Sequence, residues 1–445
     1  MYLKSLDIEN LMCFQKFHVE FKRGISVIIG RNGAGKTSIL KSIVYALNFA
    51  FTTDKELGDD MLTAGNPDLK IKVFDYNEFY RKDQKSLPAT SANIHAEMEL
   101  GHSDLTWDMY KRSTADSSVY PSKYKEAYQH FMSEYKESDR LPVFAYFSDS
   151  FPHKLANISK FASSQISSRD NILRNFGYYQ WDKENACTSI WERRLVNSIL
   201  TDIQLNDENQ YIHNEVKYIT NSLRTISEPI DEGCDDSFVI EKVFAALSDK
   251  QEAELWLKLH DGTEILFDEL PAGYRRLYSI ALDLAYRAYI LNASDEFAPG
   301  NVEGIALIDE IDLHLHPSLA QEVLQRFQKL FPKIQFITTT HSPIILSNLR
   351  SEDGKNSVLR VVKGEDAPHT LPDLFGIDYN TTLINALGTN RDQRIEQIKR
   401  SILRAMRNDQ QRIVDAKKRE LKTLIKSDDD YQQIMDEIDR GNALD

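Results

Sequence analysis

The nine residues Gly30-Arg31-Asn32-Gly33-Ala34-Gly35-Lys36-Thr37-Ser38 constrain this chain more than any other stretch of it. They follow an apolar run, Ile25 to Ile29, and precede Ile39, Leu40, Ile43, Val44 and Leu47, which repeat at helical spacing. Strand, glycine-rich turn and helix in that order match the phosphate-binding pattern G-x-x-x-x-G-K-[ST], with Gly30, Gly35, Lys36 and Thr37 at its fixed positions. The chemistry requires those residue types. Glycines at 30, 33 and 35 let the backbone curl so that successive N–H groups converge on phosphate oxygens. Lys36 is placed to reach the β- and γ-phosphates, and the Thr37 hydroxyl can ligate Mg2+. The anion would rest at a helix N-terminus, where unpaired N–H groups and the helix dipole favour it.

A second constellation lies far downstream. The run GIALIDEIDLHLHP, residues 304–317, is an apolar strand that ends in an acidic pair. Beside a phosphate loop, Asp309 is placed to hold Mg2+ through water, and Glu310 to orient and deprotonate an attacking water. The run FITTTHSPIIL, residues 336–346, then sets His341 just past the next strand. Sheets of α/β proteins bind ligands at the carboxyl ends of their strands, so His341 is expected to sense a γ-phosphate.

Strand-like runs at 305–308, 336–340 and 358–362 alternate with helical patterns, which predicts an α/β fold. Residues 2–30 read as a hairpin feeding the phosphate-loop strand, and 94–100 with 105–113 as a second strand pair. Residues 115–245 are mostly polar with helical periodicity, an insertion broken by one buried strand near 141–150 that returns to the nucleotide-binding part. AELWLKLHDGTEILF, residues 253–267, is a hairpin turning at His260, Asp261 and Gly262. The expected division is therefore 1–114, 115–245, 246–365 and a helical extension, 366–445. Within that extension, 391–426 holds twelve Lys/Arg against five Asp/Glu, with Ile395, Ile398, Ile402, Met406, Ile413 and Leu424 as its apolar positions. Residues 428–445 carry seven Asp/Glu and one Arg. This pattern suits either a solvated helical pair or a module that docks a second copy or an effector.

Composition bounds the remaining classes. Of 445 residues, 41% are apolar and 27% charged, ordinary for a globular chain. No apolar run approaches the roughly 20 residues of a membrane span, and the opening MYLKSLDIEN lacks the apolar core of a secretory signal. Cys13, Cys187 and Cys234 are unclustered, which points away from a disulfide framework or a zinc site. A cytosolic protein is expected. The formal net charge of −14 excludes a uniformly basic nucleic-acid-coating protein but leaves room for a local basic face.

The segment DELPAGYRRLYSIALDLAYRAYIL, residues 268–291, precedes the acidic pair. It resembles the signature of ABC-type ATPases, a glycine-containing turn that opens a helix. Phosphate loop, signature, acidic pair and histidine in this order resemble the ABC ATPase superfamily. The long insertion before Gly273, and the hairpin leading into it, resemble the SMC/RecF/OLD-like branch. The resemblance implies an α/β, ABC-type P-loop ATPase head with a mixed sheet, an inserted helical region and a C-terminal helical extension. It implies ATP and Mg2+ as ligands, with Thr37 and Asp309 on the metal and Glu310 and His341 as catalytic residues. It also implies homo-oligomeric composite sites, in which Lys36 and Thr37 of one subunit face Gly273 of another across ATP.

Two departures bear on turnover. Pro271 stands where the family has Ser, and Tyr274 where it has Gln or Glu. Losing the Ser hydroxyl removes one donor to the γ-phosphate while the Gly273 N–H and helix dipole remain, which implies a slow switch. With no segment matching a TOPRIM domain or a long coiled coil, the chain resembles the stand-alone ATPase subunits of bacterial antiphage systems such as Septu and PARIS. In those systems a separate HNH or TOPRIM nuclease rides on the ATPase, and the resemblance leaves DNA or a phage protein open as a further partner. Two other readings stay open: a RecF-like repair ATPase that binds DNA, and an interaction scaffold whose nucleotide is structural.

Overall fold

The computed structural model describes the chain except residues 53–61, 84, 102, 139, 151–157, 169–171, 184–187, 206–208, 232–236, 249–250, 293–300, 351–353, 378–381, 383–385, 387–392, 408–409, 425–430, 433, 437 and 439–445. Cys187 and Cys234 therefore lie outside the described residues. The fold is α/β and divides into two units, Met1–Ile377 and Asp378–Asp445.

The first unit opens with β1 (Tyr2–Leu11), β2 (Phe14–Glu20), β3 (Ile25–Gly30) and α1 (Lys36–Leu47). It continues through β4 (Ala92–Leu100), β5 (Ser103–Lys111), α2 (Lys125–Ser138), β6 (Val143–Phe147), α3 (Lys160–Ile166), α4 (Thr188–Leu205) and α5 (Gln210–Ser227). Then follow β7 (Ile240–Leu247), β8 (Ala253–Leu259), β9 (Glu264–Leu266), α6 (Ala272–Leu291), β10 (Gly304–Ile308) and α7 (Pro317–Leu330). β11 (Ile334–Thr339), α8 (Pro343–Asn348), β12 (Ser357–Val361) and β13 (His369–Thr370) complete it.

Three sheets form among the described residues. The main one runs β13-β12-β3-β11-β10-β6, parallel throughout except for β13, so it is mixed. Strands β3, β11 and β10 inside the sheet, and β6 at its edge, are buried along nearly their whole length, as expected for a parallel sheet covered on both faces. β2-β1-β4-β5 forms an antiparallel sheet with alternating burial, and β7-β8-β9 a smaller one. Within the run 141–150, β6 pairs parallel with β10 of the main sheet.

Helix α1 packs on β3 and β11 of the main sheet and on β4 and β5 of the antiparallel one, because Ile39, Leu40, Ile43, Val44 and Leu47 are all buried. Trp107 of β5 ties that packing down, its indole N–H donating to the Ala46 carbonyl at 2.9 Å. Helix α6 is buried almost from end to end, so its polar residues need internal partners. Asp283 accepts from the Arg287 guanidinium and from the Trp191 indole, and Arg287 also donates to the Gly177 carbonyl at 2.9 Å. A second buried pair, Arg194 of α4 with Glu215 of α5 at 2.6 Å, is completed by Ser198 and by the Ser168 carbonyl.

Two expected boundaries move. The division at 245/246 falls inside β7, whose residues pair with β8 and so belong to the hairpin sheet. The first unit also runs past 365 to Ile377, since β13 pairs with β12 and the Gly376 N–H bonds the Ser347 carbonyl.

The second unit contains α9 (Gln393–Arg407) and α10 (Gln411–Leu424). Ile398, Ile402, Ala405, Val414 and Leu421 form its core, and Ile434, Met435 and Ile438 from the acidic stretch join them, with Ile395 and Met406 partly buried. Ile413 does not belong to this face. It is 45% exposed, because the helix turns its neighbour Val414 inward instead. The Leu424 side chain lies outside the described residues.

Candidate functional site

Four parallel strands, β3, β11, β10 and β6, deliver their carboxyl ends to one edge of the main sheet. The segments that leave this edge are 30–38, 340–341, 309–310 and 148–149, so residues from distant parts of the chain meet there. That is where an open α/β sheet places a ligand site.

The glycine-rich segment 30–38 connects β3 to α1. Arg31, Asn32 and Gly33 are exposed, Ala34 is buried and its N–H returns to the Arg31 carbonyl at 3.1 Å, and α1 begins at Lys36. Gly35 sits at φ 108°, and a Cβ there would come within 2.5 Å of the Phe14 ring and 2.8 Å of the Cys13 Sγ. Both the left-handed backbone and the close approach demand glycine. Lys36 is buried to 8% exposure and donates to the Gly30 carbonyl at 3.1 Å. Burial pushes its ammonium pKa down, against the pull of Asp309, Glu310 and Asp312. A desolvated ammonium gains from an anion brought close to it. Ser38 is half-buried in the first turn of α1, where its carbonyl accepts from the Ser42 hydroxyl at 2.8 Å.

Asp309 connects the two halves of the site. Its Oδ2 accepts from the Thr37 hydroxyl at 2.7 Å, and its Oδ1 accepts from the Thr339 hydroxyl. An exposed hydroxyl and a carboxylate in contact are the hard oxygen donors that Mg2+ takes, so the expected pair fits that ion. Glu310 follows in the left-handed region, at φ 48°, a conformation uncommon outside glycine. Its N–H donates to the Thr339 hydroxyl at 2.8 Å, and the next N–H, of Ile311, donates to the Thr339 carbonyl at 3.0 Å. The half-buried His341 lies after β11, with its Nε2 buried and without a hydrogen-bond partner among the described residues.

Gly273 lies in the first turn of α6, buried against its own chain. A Cβ there would stand 2.6 Å from the His314 carbonyl oxygen and 3.2 Å from the Leu315 Cα. Its glycine identity is therefore required by packing onto the loop that follows the acidic pair. Pro271 is the residue before the helix and makes no side-chain cap, as its lack of a hydroxyl dictates.

Residues that sequence reasoning passed over complete the arrangement. Thr339 holds both Asp309 and Glu310, Thr340 donates to Asp312, and Arg276 of α6 donates to the Asp309 carbonyl at 2.8 Å. The Thr-Thr-Thr run ending β11 was the available signal for the first two: hydroxyls at a strand end beside an acidic pair. For Arg276, a charged residue inside a largely apolar helix pattern was the only hint.

A parallel sheet whose carboxyl edge gathers a phosphate loop, an acidic pair and a histidine defines a P-loop nucleoside triphosphatase head. The chain belongs to the AAA ATPase domain family, whose model matches residues 1–346. It is 26% identical to the retron Vc95 probable ATPase of Vibrio cholerae, over 79% of this chain and 73% of that protein. It is 22% identical to the Septu protein PtuA of Bacillus thuringiensis, over 77% of this chain and 72% of that one. Among solved structures, it is similar to an SMC head bound to the C-winged helix domain of ScpA, with a TM-score of 0.46 and 12% identity over 83% of this chain and 98% of that one. The chain is thus an ATPase-domain protein with relatives among retron probable ATPases and Septu proteins. No helix among the described residues is long and apolar enough to cross a membrane.

Proposed function

We propose that this protein is a slow ATP-hydrolysing switch that assembles through composite nucleotide sites and controls a separately encoded antiphage effector, a nuclease of HNH or TOPRIM type. The observation that carries the hydrolytic part is the meeting of Lys36, Thr37, Asp309, Glu310 and His341 at one sheet edge. In this reading the loop from Gly30 to Ser38 cradles the phosphates and Lys36 neutralises them. Thr37 and Asp309 hold Mg2+, which when bound offsets charge on the β- and γ-phosphates. Glu310 takes the proton of the attacking water, and His341 donates its ring N–H toward the γ-phosphate.

Three hydroxyl and backbone contacts fix the Asp309–Glu310 turn, which supports a site preorganised for water attack. The uncapped start of α6, with Pro271 lacking a hydroxyl, supports slow turnover. Control of an effector in a cytoplasmic defence complex is supported by the resemblance to retron and Septu ATPases, and the basic helices of the second unit are its proposed docking surface.

Lys36→Ala and Glu310→Gln test the chemistry. The first is expected to weaken ATP binding about ten- to a hundredfold, the loss of a charge-assisted contact. The second is expected to keep ATP bound while turnover falls about a hundredfold or more, the share of a general base. Turnover in Glu310→Gln at the wild-type rate would remove Glu310 from its role.

A further inference from the structure

The turn that carries Glu310 is held from two sides. β11 holds its N–H groups through Thr339, as described above. The signature-like helix α6 holds its carbonyls. Arg276, 1% exposed, donates through Nη2 to the carbonyl oxygens of Asp309 at 2.8 Å and Glu310 at 3.4 Å. The same guanidinium donates to the carbonyls of Ser148 at 3.3 Å and Asp149 at 3.2 Å, just past β6. One side chain thus bonds to the backbone after two neighbouring strands. Four residues further along the loop, His314 is again left-handed at φ 64°, and its carbonyl is the atom that Gly273 packs against.

Residues 309–315 are therefore clasped by the first turns of α6 at two points, Gly273 and Arg276. A left-handed glutamate persists only where its surroundings over-determine it. Arg276 satisfies carbonyls on both sides of the Glu310 Cα, so a shift of α6 along or about its axis cannot leave the Glu310 carboxylate where it was. Burial draws the guanidinium pKa down to about 10, and the carboxylates of Asp149, Asp309, Glu310 and Asp312 oppose that change. Charge stays on Arg276 at neutral pH, and its hydrogen bonds are charge-assisted.

We propose that Arg276 is a positioning residue for ATP hydrolysis: it sets the Glu310 turn and makes the placement of that carboxylate depend on the position of α6. The proposal rests on the reading of Glu310 as the base. Seen this way, docking of a second subunit at the start of α6 would reach the catalytic carboxylate through one guanidinium.

The test uses the full-length chain and four proteins besides wild type: Arg276→Met, Arg276→Lys, Glu310→Gln and Arg276→Met/Glu310→Gln. Equilibrium binding of a fluorescent ATP analogue and single-turnover hydrolysis are measured for each. Arg276→Met should bind nucleotide within about twofold of wild type while the hydrolytic rate falls about ten- to a hundredfold, part of what a general base supplies. Arg276→Lys, whose ammonium can still reach one carbonyl, should recover much of that rate. In the Glu310→Gln background, Arg276→Met should have little further effect, because both changes act through one group. Equal rate losses from Arg276→Met in both backgrounds would overturn the proposal, as would an unchanged rate or a parallel loss of binding in the Met and Lys variants. Failure of the underlying reading looks different: Glu310→Gln alone would then hydrolyse ATP like wild type.

Discussion

At the scale of single residues, the site is built from side chains that hold backbone as much as from side chains that face a ligand. Thr339 is completely buried, yet its hydroxyl donates to the Asp309 carboxylate and accepts from the Glu310 N–H. Valine has nearly the same shape and removes both bonds. Thr339→Val should therefore fold, lose about 1–3 kcal/mol of stability for the unsatisfied groups it leaves, and lower kcat more than ATP affinity. Urea unfolding and steady-state kinetics check the two halves of this expectation. An unchanged kcat would mean that the Asp309–Glu310 turn is held well enough by its other contacts.

At the scale of elements, helix α6 decides most of what the head can do. Its first turn is packed so closely on the 314–315 segment that Gly273→Asp would clash within its own chain, so that variant cannot isolate a contact between subunits. Ala272 beside it is exposed. An acidic residue at a helix N-terminus stabilises the helix by about 0.3–1 kcal/mol, but it would repel a phosphate arriving from a partner. Ala272→Asp is expected to match or exceed wild-type melting temperature, bind ATP normally and lose turnover. Normal turnover in that variant would rule out the composite site. The α4–α5 pair offers a separate check on packing. Arg194 is 1% exposed and Glu215 fully buried, so Arg194→Met strands a buried carboxylate and should cost about 3–5 kcal/mol in urea unfolding. A loss below about 1 kcal/mol would show that Glu215 finds other partners or takes up a proton.

At the scale of the whole molecule, the chain sorts its charge. A net −14 protein carries an excess of seven positive charges over 391–426, and the apolar stripe beneath them is covered by Ile434, Met435 and Ile438 of the acidic stretch. The second unit thus completes a core of its own, and what it presents outward is mainly charge. Of the consecutive cations Lys417, Lys418 and Arg419, the last is exposed and the first two are half-buried, and Lys417 pairs with Glu420 at 2.7 Å in a partly exposed bridge. Such bridges contribute about 0–1 kcal/mol. Reversing all three to Glu should leave folding and ATP binding close to wild type while changing oligomeric mass or abolishing effector co-purification. Unchanged mass and retained partner would make this face a solvated surface and remove the docking role.

What the sequence determined by itself was local: a loop of fixed spacing between strand and helix, an acidic pair ending an apolar run, a hairpin turning at His260 to Gly262, and β6 foretold by the buried run near 141–150. Each depends on neighbours within a few residues, where backbone preference and burial period act directly. Tertiary structure decided what sequence spacing cannot encode. Thr37 meets Asp309 across 272 positions of the chain because β3 and β10 flank β11. Gly273, legible only as part of a signature, turned out to be held by contact with residues 314–315. Ile413 and Val414 differ by one helical step, and only the partner that covers α10 determines which of them turns inward. Arg276 is the clearest case, since a buried cation in an apolar helix has no meaning until the carbonyls it must satisfy are brought to it from two other strands.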